Sequence, residues 1–218
     1  LSIWRLGNCA ASRLPRIGAT RMSMSEGEVR KIVEYVLQHT LGLAAPTGQS
    51  TVSHPQQDQP DQERRTVAIG ADHGGYSLKE SLKSLMTQRG YDVVDCGTDS
   101  AEPVDYPDTA YAVAQLVSSG QVREGILIDG AGIGSCIAAN KVPGVRASMC
   151  YNQVTAVNSR EHNHANVLTL GSGLIDHNLA RQIMMLWLQT SYGEDRHARR
   201  VEKIAAIERR FQKTNHAS

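Results

Sequence analysis

From residue 66 onward the sequence predicts an α/β fold, an open parallel sheet covered by helices on both faces. Two observations predict it. Five short apolar or β-branched runs, TVAIG (66–70), YDVVD (91–95), GILID (125–129), VRASMC (145–150) and ANVLTL (165–170), are separated by helix-length segments near 75–89, 107–119, 134–142, 152–161 and 177–189. A glycine-rich turn, Gly130-Ala-Gly-Ile-Gly134, joins the third run to a helix start. Glycines there let backbone approach a ligand closely, and the start of a helix carries partial positive charge, so the ligand expected is an anion. In open parallel sheets ligands bind beyond the carboxyl ends of the strands. Asp72-His73, the stretch from Asp129 to Gly134, and His162 are all expected at or near those ends.

The segments ahead of the sheet read differently. Residues 1–21 carry Arg5, Arg13, Arg16 and Arg21 with no acid until Glu26. They match either an organelle transit peptide or non-native sequence upstream of a start at Met22 or Met24. Residues 22–43 hold an amphipathic helix: Ser25 and Glu28 have capping-box spacing, and Val29, Ile32, Val33, Val36, Leu37 and Leu41 form one apolar stripe. Residues 44–64, with Pro46, Pro55 and Pro60 among Gln and Asp, read as a disordered linker. A lone stripe on a tether must dock on its own domain, on another copy or on a partner. The arrangement resembles the peptides that carry enzymes into bacterial microcompartments. The domain itself is expected over 65–212, ending in a basic helix near 197–211.

Bulk properties exclude several classes. A formal charge of +1 supplies no field for nucleic acid. The four cysteines, at 9, 96, 136 and 150, offer neither a zinc-site spacing nor a disulfide framework, and a reduced cytoplasm is the simplest compartment. No apolar run approaches the roughly 20 residues of a membrane span.

Within the domain, Asp72-His-Gly-Gly75 follows the first strand and reads either as an ordinary βα turn or as a pair that orients a sugar hydroxyl. The glycine turn lacks the G-x-G-x-x-G spacing of a dinucleotide site, and no acid for a ribose ends the next strand. His162 and Asn163 are expected in a loop between helix and strand, where functional histidines concentrate. Arg196 and Arg200 lie i, i+4 on a helix and point the same way, as a phosphate site or a solvated basic face requires. His197 sits between them. His39, His54, His164, His177 and His216 are expected as surface residues, and Cys136 as a core thiol.

The segments ADHGG (71–75), DYPD (105–108), GAGIGSCIAANKVPGVRA (130–147), SREHNHANVLTLG (159–171) and RHARRVEKI (196–204) together closely resemble the ribose-5-phosphate isomerase B family, which also includes the LacA and LacB galactose-6-phosphate isomerase subunits. The resemblance implies a Rossmann-like three-layer sandwich with a five-stranded parallel sheet. It implies aldose–ketose isomerisation of a sugar phosphate without metal or cofactor, in a dimer, or a tetramer built from it, whose sites are shared between subunits. It further implies that His162 opens the sugar ring with Asp72 nearby, and that His73, Arg196 and Arg200 contact phosphate. Asn163 and Tyr106 would contact the sugar, and Gly130, Ala131, Gly132 and Gly134 would line the pocket whose amides hold the enediolate oxygen.

This chain departs from the family pattern at four positions. Many members have a cysteine base where this chain has Asp129; others use a glutamate at the position of Ser135. A Thr or Ser is replaced by Ala131, and a phosphate-site Arg by Gly173. Asp129 is the expected replacement base, provided burial raises its pKa. The alternative is a catalytically altered, LacA-like subunit that takes a different sugar phosphate.

Overall fold

A computed structural model describes residues 65–193 and 196–212. The expectations for 1–21, 22–43 and 44–64 lie outside these residues. Five strands, β1 (Thr66–Ala71), β2 (Asp92–Asp95), β3 (Glu124–Asp129), β4 (Ala147–Met149) and β5 (Val167–Gly171), alternate with α1 (Tyr76–Gln88), α2 (Tyr106–Ser118), α3 (Ile133–Ala139), α4 (Gln153–Asn163) and α5 (His177–Gln189), and α6 (Arg196–Gln212) ends the described chain. All four strand pairings are parallel, in the order β2-β1-β3-β5-β4. β3 therefore lies at the centre, between β1 and β5, and its carboxyl end opens where the strand order diverges.

Successive side chains of each strand enter opposite layers. Val67, Ile69, Ile126, Ile128, Leu168 and Leu170 pack with Leu78 and Leu82 of α1, Ala156 of α4, and Ile183 and Trp187 of α5. Ala68, Leu127 and Val167 face α2 and α3 through Val113, Ala114, Val117 and Ala139. The sheet side of the second layer includes the small residues Ala68, Gly70 and Gly125, each packed toward α2. A Cβ on Gly125 would lie 2.6 Å from Val113 Cγ1, so only glycine lets α2 settle this close to β3. That approach brings Tyr106, the first residue of α2, over the turn that follows β3.

One tie crosses from helix to edge strand. Lys79 of α1 is buried, and its Nζ donates to both Asp95 oxygens at the end of β2, at 2.7 and 2.6 Å. Lys83 donates to the same carboxylate at 2.6 Å. Burial raises the Asp95 pKa, but the bonds from Lys79, Lys83 and the Gly97 amide outweigh it and hold the carboxyl below its ordinary value.

Candidate active site

Three loops converge at the carboxyl ends of β1, β3 and β5. Asp72 is buried; its backbone N–H donates to Ile128 O at 3.1 Å and its Oδ1 accepts from Gly75 N at 2.9 Å, which locks the turn into α1. Ser172, just past β5, stitches the loops together: its N–H donates to Asp129 O at 2.9 Å and its hydroxyl to Gly74 O at 2.9 Å. Gly130 is exposed in the middle, with Gly173 N donating to its carbonyl at 3.0 Å. His73 is exposed at the rim, its Nδ1 3.3 Å from the backbone N and O of Val104. Tyr106 is half-exposed, and its ring lies so flat on Gly134 that a Cβ there would come within 2.6 Å.

The turn itself is wound around the Asp129 carboxylate. Oδ1 accepts from Ala131 N at 2.8 Å and from Gly132 N, and Oδ2 accepts from Ser135 N at 2.8 Å. Burial pushes the Asp129 pKa up, but the bonds from the Ser135 side chain and from the Ser135, Gly132 and Ala131 amides win, and the carboxyl titrates below its ordinary value. The upward tuning expected of Asp129 is therefore absent: burial is offset because the carboxylate draws amides to itself. The Ala131 and Gly132 amides, expected to face a ligand oxygen, bond this carboxylate; those of Gly130 and Gly134 are not among its donors.

Gly132 holds the turn in place. Its φ is +75° and an added Cβ would lie 2.8 Å from Leu170 C. Gly132→Ala is expected to cost about 3 kcal/mol or more, from left-handed backbone plus a contact with backbone that cannot give. Chemical denaturation checks this; an unchanged midpoint would contradict the packing described.

His162 and Asn163 do not join this group. They form the end of α4, which runs on to Asn163 before the left-handed His164 caps it. Because α4 returns antiparallel to the strands, its last turn lies at the amino edge of the sheet, not the carboxyl edge. Arg160 anchors it there: buried, it donates to Glu124 at 3.0 Å and to the carbonyls of Ala165 and Thr190 at 2.7 and 3.1 Å. Its guanidinium lies 4.4 Å from the ring centroids of both Trp187 and Tyr192. Glu124 begins β3 and Asp129 ends it. At about 3.3 Å per residue the two edges stand roughly 17 Å apart.

Beside His162, α6 packs on α4 and presents Arg196, His197 and Arg200 in its first turns, with both arginines exposed. The His197 ring stacks on His162, centroids 4.2 Å apart and planes 20° from parallel. Asn158, one turn before His162, has its Nδ2 3.1 Å from His162 Nδ1. His164, expected on the surface, is half-buried instead: its Nε2 lies 2.6 Å from Gly193 O and its ring stacks on Tyr192 at 4.7 Å. Asn158 and Ser172 were missed from sequence. The Asn158 spacing, i−4 from His162, becomes a signal only once the helix is known to reach residue 163. Cys136, expected as a core thiol, is instead half-buried, with its Sγ donating to Ala147 O at 3.4 Å. Among the described residues no three His, Cys, Asp or Glu side chains gather to hold a metal.

Residues 67–204 match the model of a family described as Ribose/Galactose Isomerase. The chain belongs to that family. The ribose-5-phosphate isomerase B of Escherichia coli K12 is 45% identical over 146 residues, 67% of this chain and 98% of the relative. A D-erythrulose-4-phosphate isomerase of Pectobacterium atrosepticum is 39% identical over 144 residues, 66% of this chain and 95% of the relative. The structure of the Clostridium thermocellum ribose-5-phosphate isomerase B superimposes with a TM-score of 0.66 at 48% identity, over 67% of this chain and 99% of that one. As a member of the ribose/galactose isomerase family, the chain is a sugar-phosphate aldose–ketose isomerase with the parallel five-stranded sheet of those structures.

Proposed function

We propose that this chain interconverts ribose 5-phosphate and ribulose 5-phosphate, in a site made from the carboxyl-edge residues of one copy and the amino-edge residues of another. One observation carries the composite site: Asp129 and its turn stand at the opposite sheet edge from His162, Asn163, Arg196 and Arg200, farther apart than one sugar phosphate reaches. A second copy supplies what one chain separates. Exposed Ile133 and Ile137 on α3 beside the turn, and Ile204 and Ile207 on α6, are apolar surface for it to cover.

In this reading Arg196, Arg200 and His73 hold the phosphate, Asn163 and Tyr106 the sugar hydroxyls, and Asp72 stands beside the ring that His162 opens. Asp129 takes the proton from C2 of the open aldose and delivers it to C1. A low pKa in the free enzyme is compatible with that role, because charge moves as the proton does. When the carboxylate becomes the acid, the sugar oxygen becomes the anion. The Ala131 and Gly132 amides then gain by turning from Asp129 to the enediolate, so stabilisation is realised where charge develops. The reading places the enzyme in the cytoplasm, with the stripe at 25–42 as the segment that would direct it to a shell.

The test is direct turnover by the full chain of ribose 5-phosphate, with D-erythrulose 4-phosphate and galactose 6-phosphate as comparators. Turnover of the ribose compound in the ordinary range of about 1–1000 per second supports the reading. Preference for a comparator moves the assignment to that sugar, and inactivity toward all three favours a LacA-like subunit.

A further inference from the structure

We infer that His197 is a positioning residue for the ring-opening step: its imidazole is the plate that fixes the orientation of His162 and links it to the phosphate-binding arginine beside it. The inference rests on the isomerase reading above and adds a residue to it.

The geometry leaves His162 little freedom. One face of its ring lies against His197 at 4.2 Å, and its Nδ1 is engaged by the Asn158 amide at 3.1 Å. Nε2 is then the nitrogen presented outward, 4.0 Å from Glu161 Oε2. If the Asn158 NH2 donates to Nδ1, the neutral ring carries its proton on Nε2, the form that offers a hydrogen bond to a sugar ring oxygen.

His197 is held in turn. Its Nε2 accepts from Arg196 Nε at 3.3 Å, and its Nδ1 is buried without a hydrogen-bond partner. The backbone of Gly193 lies against its edge, where an added Cβ would come 3.3 Å from His197 Cδ2 and 2.3 Å from Glu161 O. The titratable and charged groups facing it are His162 and His164 from α4 and its cap, and Arg196 and Arg200 from α6. Burial first, and then the positive charge of His162, Arg196, Arg200 and His164, hold its pKa below the ordinary histidine value. At neutral pH the plate is uncharged. It stacks on His162 without competing with the arginines for phosphate, and an arginine engaged by phosphate bears directly on the stack.

A merely structural residue and a positioning residue for ring opening give different results on ribulose 5-phosphate. That ketose has its O5 esterified and stays acyclic, so exchange of its C1 hydrogen with D2O needs the base and the amides but no ring step. His197→Ala is expected to lower net ribose 5-phosphate turnover by about 10–100-fold, the scale of a displaced catalytic group, while C1 exchange stays within about threefold of native. His197→Phe, which keeps the flat ring, should recover most of the loss. Parallel loss of exchange and isomerisation in both variants, or no loss in His197→Ala, would overturn the inference. A native chain that neither exchanges nor isomerises would instead sink the isomerase reading itself.

Discussion

Asp129→Ala is expected to lower turnover by about 10³-fold, the middle of the range for removing a general base. Phosphate affinity should remain nearly intact, because Arg196, Arg200 and His73 are the groups assigned to phosphate, whereas the Asp129 carboxylate bonds the amides of its own turn. The same change removes the acceptor of the Ala131, Gly132 and Ser135 amides. Donors left unpaired in a buried turn cost about 1–3 kcal/mol each where water cannot replace the oxygen, so some stability goes as well. Asp129→Cys separates the two contributions, since a thiol is a base with a much higher pKa. Asp129 is held below the ordinary carboxylate value, so it is already ionised throughout the neutral range. The acid limb of kcat/KM in Asp129→Cys should move upward toward the thiol range near about 8.5. A limb that stays where the native enzyme has it would remove Asp129 from the proton transfer. Linkage runs in the matching direction. A carboxyl with a depressed folded pKa stabilises the fold above its unfolded pKa, near about 3.9, and that contribution is lost as pH falls through the folded value. Native protein should lose stability there on acidification, and Asp129→Ala should show less of that loss.

His162→Ala is the second large effect expected, about 10²–10⁴-fold on ribose 5-phosphate. Its cost should fall on the cyclic aldose, with exchange at C1 of ribulose 5-phosphate largely spared. Stability should change little, because the side chain is partly exposed and α4 is anchored by Arg160 rather than by His162. Comparable losses in both assays would mean that His162 acts in the proton transfer itself.

The alternation of strands and helices was legible because each element carries its own local pattern. Thr66–Ala71 and Glu124–Asp129 fall within a residue of the runs that announced them. β4 shrinks to Ala147–Met149 because it is an edge strand paired on one side only. The end of α4 was not legible. His164 caps it with φ +50°, a conformation nothing in a histidine advertises, and it holds there through Gly193 and Tyr192, about thirty residues away in sequence. That missed cap placed His162 in a loop rather than in the last turn of a helix; its edge is set by connectivity alone, since whatever leads from α4 into the parallel strand β5 lies at the amino edge of the sheet. The depressed Asp129 pKa was hidden for a related reason. A sequence shows that the carboxyl will be buried, but the three amides that converge on it depend on how the turn closes. Lys79 shows the same limit: its spacing on α1 gives no sign that Asp95 reaches it from the next strand.

The measurement that tests the composite site most directly is complementation between two variants that are each inactive. Asp129→Ala and His162→Ala proteins, purified separately, are mixed in equal amounts, partly unfolded and refolded together, and assayed on ribose 5-phosphate. In a mixed dimer one site unites an intact Asp129 with an intact His162 from the other copy, and the second site lacks both. With random pairing, half of the dimers are mixed and each has one working site of two, so activity should return to about a quarter of native. A mixture no more active than its components would contradict a site shared between copies.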